Sequence, residues 1–149
     1  MKLIFRGHDD RYAVEQSLLA FFPDERPVYE AAAPEEDHAV VSLHSGKTYT
    51  TATTRIVYQG KTARGVSRVV IAPALDLYES ERLRQKAVKL SFFKAAREIT
   101  GTAPSWGALT GIRPGKLAAR MLEEGKSVKE TDRILRDTYF VAPERRRLA

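Results

Sequence analysis

Apolar and polar positions alternate along the first half of the chain, and a helical spacing replaces the alternation after residue 79. "KLIFRG" (Lys2 to Gly7) is a short β-type run. Asp9 or Asp10 is placed to cap a helix on which Tyr12, Leu18, Leu19 and Phe22 form the apolar side, and Pro23 ends it. "RPVYEAA" (26–32) reads as a second strand, "APEED" (33–37) as a turn, and "HAVVSLH" (38–44) as a third strand. "SGK" (45–47) is a hairpin turn. In "TYTTATTRIVYQ" (48–59), Ala52, Thr54, Ile56 and Tyr58 share one face, and Tyr49, Thr51, Thr53 and Arg55 share the other. Gly60 and Lys61 turn the chain into "ARGVSRVVIA" (63–72), which Pro73 stops.

Beyond Glu79 the pattern is helical. Leu83, Ala87 and Leu90, with Val88, Phe92 and Ile99 beside them, make a wide apolar stripe from Glu79 to Thr100, and Gly101 ends it. Pro114 suits the first position of a further helix, with Leu117, Ala118, Met121 and Leu122 as its buried stripe and Gly125 as its C′ residue. "SVKE" (127–130) is a capping box for a helix that ends near Asp137. "APERRRLA" (142–149) starts one more helix with proline near its front, only about two turns long. The expected fold class is α+β: an antiparallel sheet of about five strands packed with helices, then a C-terminal helical hairpin. The expected organisation is one domain over 1–149, sheet-rich over residues 1–78 and helical over residues 79–149.

Composition narrows the chemistry. The chain has 149 residues, with 43% hydrophobic and 30% charged side chains, as an ordinary globular protein does. It has no cysteine, which excludes disulfides, a thiol nucleophile and a thiolate-held iron–sulfur cluster within these residues. No apolar run approaches the roughly 20 residues that span a bilayer, and "MKLIFRGHDD" is not a secretory signal, so the chain reads as cytoplasmic with no membrane partner. Residues 1–78 hold nine Lys/Arg against ten Asp/Glu, and residues 79–149 hold sixteen against nine. The net charge of +6 therefore sits in the second half, either as solvated helix faces or as a surface for an anion.

No catalytic constellation emerges. His38 and His44 share a strand face but lie about 20 Å apart, and "HDD" (8–10) reads as a strand-to-helix cap. No nucleophile elbow, phosphate loop or dinucleotide fingerprint is present. Residues 114–137 have the spacing of a helix-turn-helix, and Lys129, Arg133 and Arg136 could face nucleic acid. Glu130, Asp132 and Asp137 dilute that field, which makes nucleic acid the weaker alternative.

The loop "SWGALTGIRPGKL" is the most specific stretch. With "EEGKS" and "DTYFVAPE" behind it, it resembles the N-terminal region of HemZ-type oxygen-independent coproporphyrinogen III dehydrogenases (oxidase-like proteins), which are radical S-adenosylmethionine proteins. The resemblance is specific from about Glu98 to Pro143. It implies a downstream catalytic barrel in which a C-x-x-x-C-x-x-C motif holds a [4Fe–4S] cluster with S-adenosylmethionine. That motif does not occur in this chain, so no catalytic, cofactor or metal residue carries over. The resemblance implies a non-catalytic accessory domain of an enzyme of porphyrin and haem biosynthesis, with that barrel as partner and an anionic porphyrinogen as a possible ligand. The loop residues expected to matter are Trp106, Gly107, Thr110, Gly111, Arg113, Pro114 and Lys116. Trp106 would anchor the loop, the glycines would allow its turns, and Arg113 and Lys116 would face an anion beside the helix that Pro114 opens. The competing role is structural, with Arg113 pairing to a nearby carboxylate.

Overall fold

A computed structural model of the chain describes residues 1–102, 114–141 and 146, with residues 114–117 described by their backbone. They belong to two compact units, 1–102 and 103–149.

The first unit contains β1 (Lys2–Arg6), α1 (Arg11–Phe21), β2 (His38–Ser45), β3 (Thr50–Tyr58), β4 (Lys61–Val69) and α2 (Leu77–Thr100). The strands form one sheet in the order β1-β2-β3-β4. The last three make an antiparallel meander, with Val41 opposite Thr54 and Thr54 opposite Gly65. β1 runs parallel to β2, with Leu3 opposite Ala39 and Phe5 opposite Val41. The sheet is therefore mixed and four-stranded, which corrects the expectation of an antiparallel sheet of about five strands. The physical reason is local. A strand, a helix and a returning strand make a crossover, and a crossover joins parallel neighbours. The segment expected as a second strand contributes one isolated parallel bridge, Val28 to Lys2. Pro27 there has no N–H to extend a ladder.

Alternation sets which side is buried. Leu3, Ala39, Val41, Ala52, Ile56 and Ala63 point to the side covered by the helices and form one core with Val14, Leu18, Val88, Phe92 and Ala96. The expected face of β3, Ala52, Thr54 and Ile56, is the buried one. In α1 the stripe turns differently: Ala13, Val14, Ser17 and Leu18 are buried, whereas Tyr12 is 69% and Leu19 43% exposed. The positions 14 and 18, one helical turn apart, carry that helix's burial.

α2 begins two residues before Glu79. Asp76 caps it by accepting from the Glu79 N–H at 2.8 Å, and Gly101, at φ 71°, ends it by donating to the Arg97 carbonyl. The helix lies against β3 and β4, as its wide stripe predicts. Its contact is close because small residues recur at every fourth position, Ala87, Ser91 and Ala95. They meet Ala63, Gly65 and Ser67 of β4, all buried. A Cβ on Gly65 would lie 2.1 Å from the Ser91 carbonyl oxygen, so only glycine admits the helix at this depth. Beneath it, the buried hydroxyls of Thr54 and Ser91 share a 2.8 Å hydrogen bond, and Ser91 also donates to the Val88 carbonyl.

In the second unit, α3 (Pro114–Glu123) and α4 (Val128–Asp137) form a helical hairpin. Pro114 is the first helical residue, as expected. Gly125, at φ 89°, donates to Leu122 O while Lys126 N donates to Met121 O, which closes the C-terminus of α3. Ala118, Met121, Leu135 and Val141 make a small core with Ile134 and Tyr139 against it. Leu122, expected in that stripe, is 46% exposed. The helix expected over 142–149 lies outside the described residues except for Arg146, which is helical.

Candidate functional site

Of the loop residues expected to matter, Trp106, Gly107, Thr110, Gly111 and Arg113 lie outside the described residues. Pro114 and Lys116 fall in the first turn of α3, where only the backbone is described. First-turn N–H groups have no intrahelical acceptor, so this end of α3 is the end an anion would meet. Behind it the hairpin is tied together by local polar contacts. Ser127 Oγ accepts from Glu130 N at 3.1 Å, as the capping box requires. Arg146 donates from Nε to Asp132 at 2.8 Å and from a terminal nitrogen to the Val141 carbonyl at 2.8 Å. Thr131 Oγ1 is buried without a partner among the described residues.

The charge of this hairpin is largely paired. Arg136 binds Asp137 through two nitrogens, at 2.8 and 3.3 Å. That contact holds the Asp137 carboxyl below the usual carboxylate range and raises the Arg136 guanidinium. Arg120 and Lys126 both lie near Glu124, at 3.9 and 3.4 Å. Lys129 and Arg133 are left without an ion pair among the described residues, a thin field for a recognition helix.

His8 and His38 make hydrogen bonds to backbone carbonyls. His8 donates from Nε2 to the Val41 carbonyl at 3.0 Å, and its Nδ1 accepts from the Asp10 N–H at 3.2 Å. Both ring nitrogens are thus used, one within the β1–α1 turn and the other in fastening that turn to β2. Asp10 occupies the N-cap position of α1 without a side-chain cap bond. Its carboxyl is pushed up by burial, and further by Glu81 and Asp9, against the opposing pull of His8 and Arg84. His38 and His44 sit at opposite ends of β2, facing Val57 and Thr51. Among the described residues no three His, Asp or Glu side chains gather as metal ligands. A [4Fe–4S] cluster needs thiolates, and the chain offers none, so these residues do not fit that group.

A cleft of about 380 Å³ opens in the first unit between the end of α1, the β3–β4 turn and the end of α2. Phe21, Phe22, Tyr58 and Ile99 line it, with Glu25 and Lys61 at its rim. Nearby the amino group of Met1 is fixed by Glu25, at 2.8 Å, and by the Arg26 carbonyl. The Tyr58 phenol is raised by loss of solvent and by the Glu25, Asp37 and Asp24 carboxylates. These groups hold the chain's start against the end of α1. They do not assemble a nucleophile with a base. No signal in the sequence pointed to this cleft, because Phe22, Tyr58 and Ile99 come from three distant elements.

The described residues define an α+β protein: a mixed four-stranded sheet covered on one side by two helices, and a helical hairpin as a second unit. No family model matches the chain, and no solved structure matches it. Over 72 residues, 47% of its length, it is 31% identical to the oxygen-independent coproporphyrinogen-III oxidase-like protein HemZ of Bacillus subtilis (strain 168). The chain is thus similar to HemZ, and the match spans 14% of that relative's length. No described helix is long and apolar enough to cross a membrane.

Proposed function

We propose that this chain is a non-catalytic accessory domain of a HemZ-like radical S-adenosylmethionine enzyme, acting in the cytoplasm in porphyrin and haem biosynthesis. In this reading the domain positions the catalytic barrel and shields the porphyrinogen during oxygen-independent oxidation of coproporphyrinogen III. The observation that carries the reading is the 31% identity to HemZ over 72 residues. The chemistry of the donor set agrees with it. A cluster that cleaves S-adenosylmethionine needs cysteine ligands, and these 149 residues supply none, so the cluster would be held by another segment. In this reading Arg113 and Lys116, in the sequence that leads into and opens α3, are the residues that would meet a propionate.

The test is complementation in two pieces. This chain, incubated anaerobically with iron, sulfide and S-adenosylmethionine, should remain colourless and leave the methionine cofactor intact. A HemZ protein lacking the matched segment should lose coproporphyrinogen oxidation and regain it when the segment is replaced by this chain in a fusion. A fusion with no recovered activity, although its cluster is loaded, refutes the accessory role.

A further inference from the structure

The net charge of residues 1–78 is near zero, yet the fold separates the signs by face. The side of the sheet turned away from α1 and α2 presents Lys2, Ile4 and Arg6 on β1, then His38, Val40, Ser42 and His44 on β2. It continues with Thr51, Thr53, Arg55 and Val57 on β3, and Thr62, Arg64, Val66 and Arg68 on β4; the paired His38 and Val57 are buried, so the accessible part lies beyond them. No Asp or Glu occupies any of these positions. Lys2 is neutralised by Glu36 at 2.7 Å. Arg6, Arg55, Arg64 and Arg68 are exposed, and none has an ion pair or hydrogen bond among the described residues. Arg55 and Arg64 stand directly opposite each other across β3 and β4. Facing like charges weaken a sheet, and an anion between them would remove that penalty.

We propose that this open sheet face binds the sugar-phosphate backbone of double-helical RNA, without reading its sequence. Three features select that occupant. First, the four arginines spread over about 14 Å in each direction, from strand rise and spacing, which spans several phosphates of a duplex. Second, hydroxyls stand among them, Ser42, Thr51, Thr53 and Thr62, beside the aliphatic Val40 and Val66, and hydroxyls pair with phosphate and ribose oxygens. Third, the face is a broad strand surface and carries no Phe, Tyr or Trp within its strands; Tyr49, at the turn before β3, is at its rim. A broad strand surface suits the wide, shallow minor groove of an A-form helix, whereas the major groove of DNA takes a protruding helix or ribbon. Stacking of single-stranded bases needs aromatic platforms, and a stable protein interface needs apolar or aromatic anchors. The strands carry no Phe, Tyr or Trp on this face, and its accessible aliphatic side chains, Ile4, Val40 and Val66, are only partly exposed.

The experiment uses the full chain and fluorescence anisotropy with a short labelled RNA duplex, its DNA counterpart, and polyglutamate as competitor. The expected result is binding to the RNA duplex that weakens steeply with salt and exceeds binding to the DNA duplex. In Arg55→Gln/Arg64→Gln the slope of log affinity against log salt should shrink by about two, one for each lost phosphate contact. Arg82→Gln/Arg133→Gln removes the same charge elsewhere and should leave the slope close to that of the parent. The Arg55/Arg64 variant relieves a repulsion, so it should melt no lower than the parent. Arg6→Gln/Arg68→Gln repeats the measurement at the two flanks should it melt lower. Equal or tighter binding to DNA, competition by polyglutamate at matched charge, or an unchanged slope in both sheet variants overturns the proposal.

Discussion

Replacing Gly65 with alanine tests the packing argument most directly. The added Cβ would lie 2.1 Å from the Ser91 carbonyl oxygen, 2.8 Å from the Ala95 nitrogen and 2.9 Å from Lys94 Cβ. The first two are backbone atoms of α2, so no rotamer change relieves the clash. A tolerable carbon–oxygen contact is about 3.3 Å, which requires α2 to retreat from β4 by about 1 Å. That retreat stretches the 2.8 Å bond between Thr54 and Ser91 beyond hydrogen-bonding range. Ser91 keeps its bond to the Val88 carbonyl, but the buried Thr54 hydroxyl loses its partner. Overpacking of a core costs about 1–3 kcal/mol, and an orphaned buried hydroxyl about 1–3 kcal/mol. The two overlap, so the expected loss is about 2–5 kcal/mol. Urea unfolding followed by circular dichroism should show it as a midpoint lowered by roughly 1–2.5 M, given a mid-range slope of about 2 kcal/mol/M. Gly60→Ala is the matched control. Gly60 has φ 78° and nothing within 4 Å of a Cβ, so it tests backbone conformation without a clash. Its cost should be about 1 kcal/mol. A loss at Gly65 below about 0.5 kcal/mol, or below that at Gly60, would refute the close approach of α2.

Three further outcomes are expected. Asp10→Asn should raise the melting temperature at neutral pH: burial lifts this carboxyl above its ordinary 3.8, so its contribution to stability is present below that value and lost as pH rises through the folded pKa, and the gain should vanish in acid. Glu36→Gln should flatten the acid limb of the stability curve, because the Lys2 contact lowers Glu36, and stability present above its ordinary 4.5 is lost as pH falls through the folded pKa. Ser127→Ala should cost α4 about 1 kcal/mol, seen as faster amide exchange at Glu130 than in the parent.

Much of the fold was legible in the residues because its rules are local. Alternation from Ala52 to Ile56 marked the buried face of β3, and Pro114, Gly125 and the Ser127 cap marked the ends of the hairpin helices. Sheet order was not legible to the same depth. Strand pairing is a long-range property, and the parallel partnership of β1 and β2 follows from the crossover through α1. The segment 26–32 shows the converse error. Its composition suits a strand, but strand identity needs a ladder, and a single bridge is all that Val28 makes. Leu19 and Leu122 failed for a related reason: a short helix presents a narrow apolar stripe, and a leucine one position off that stripe faces water.

Charge was read along the chain when it needed to be read across the sheet. Counting by halves placed the positive field after residue 79, where the described hairpin then spends Arg120, Arg136 and Arg146 on Glu124, Asp137 and Asp132. The balanced first half hid four exposed arginines, because its acidic residues sit in turns, in α1 and in the 24–37 segment, and none sits on the outward positions of the strands. The period-two rule that identifies a buried face identifies its opposite equally well: Arg55 shares a parity with Thr51 and Thr53, and Arg64 with Arg68. What parity alone could not supply is the register that sets Arg55 against Arg64. That register turns two ordinary surface charges into a mutually repelling pair, and a repelling pair retained on an open sheet is most simply stabilised by an anion that meets both.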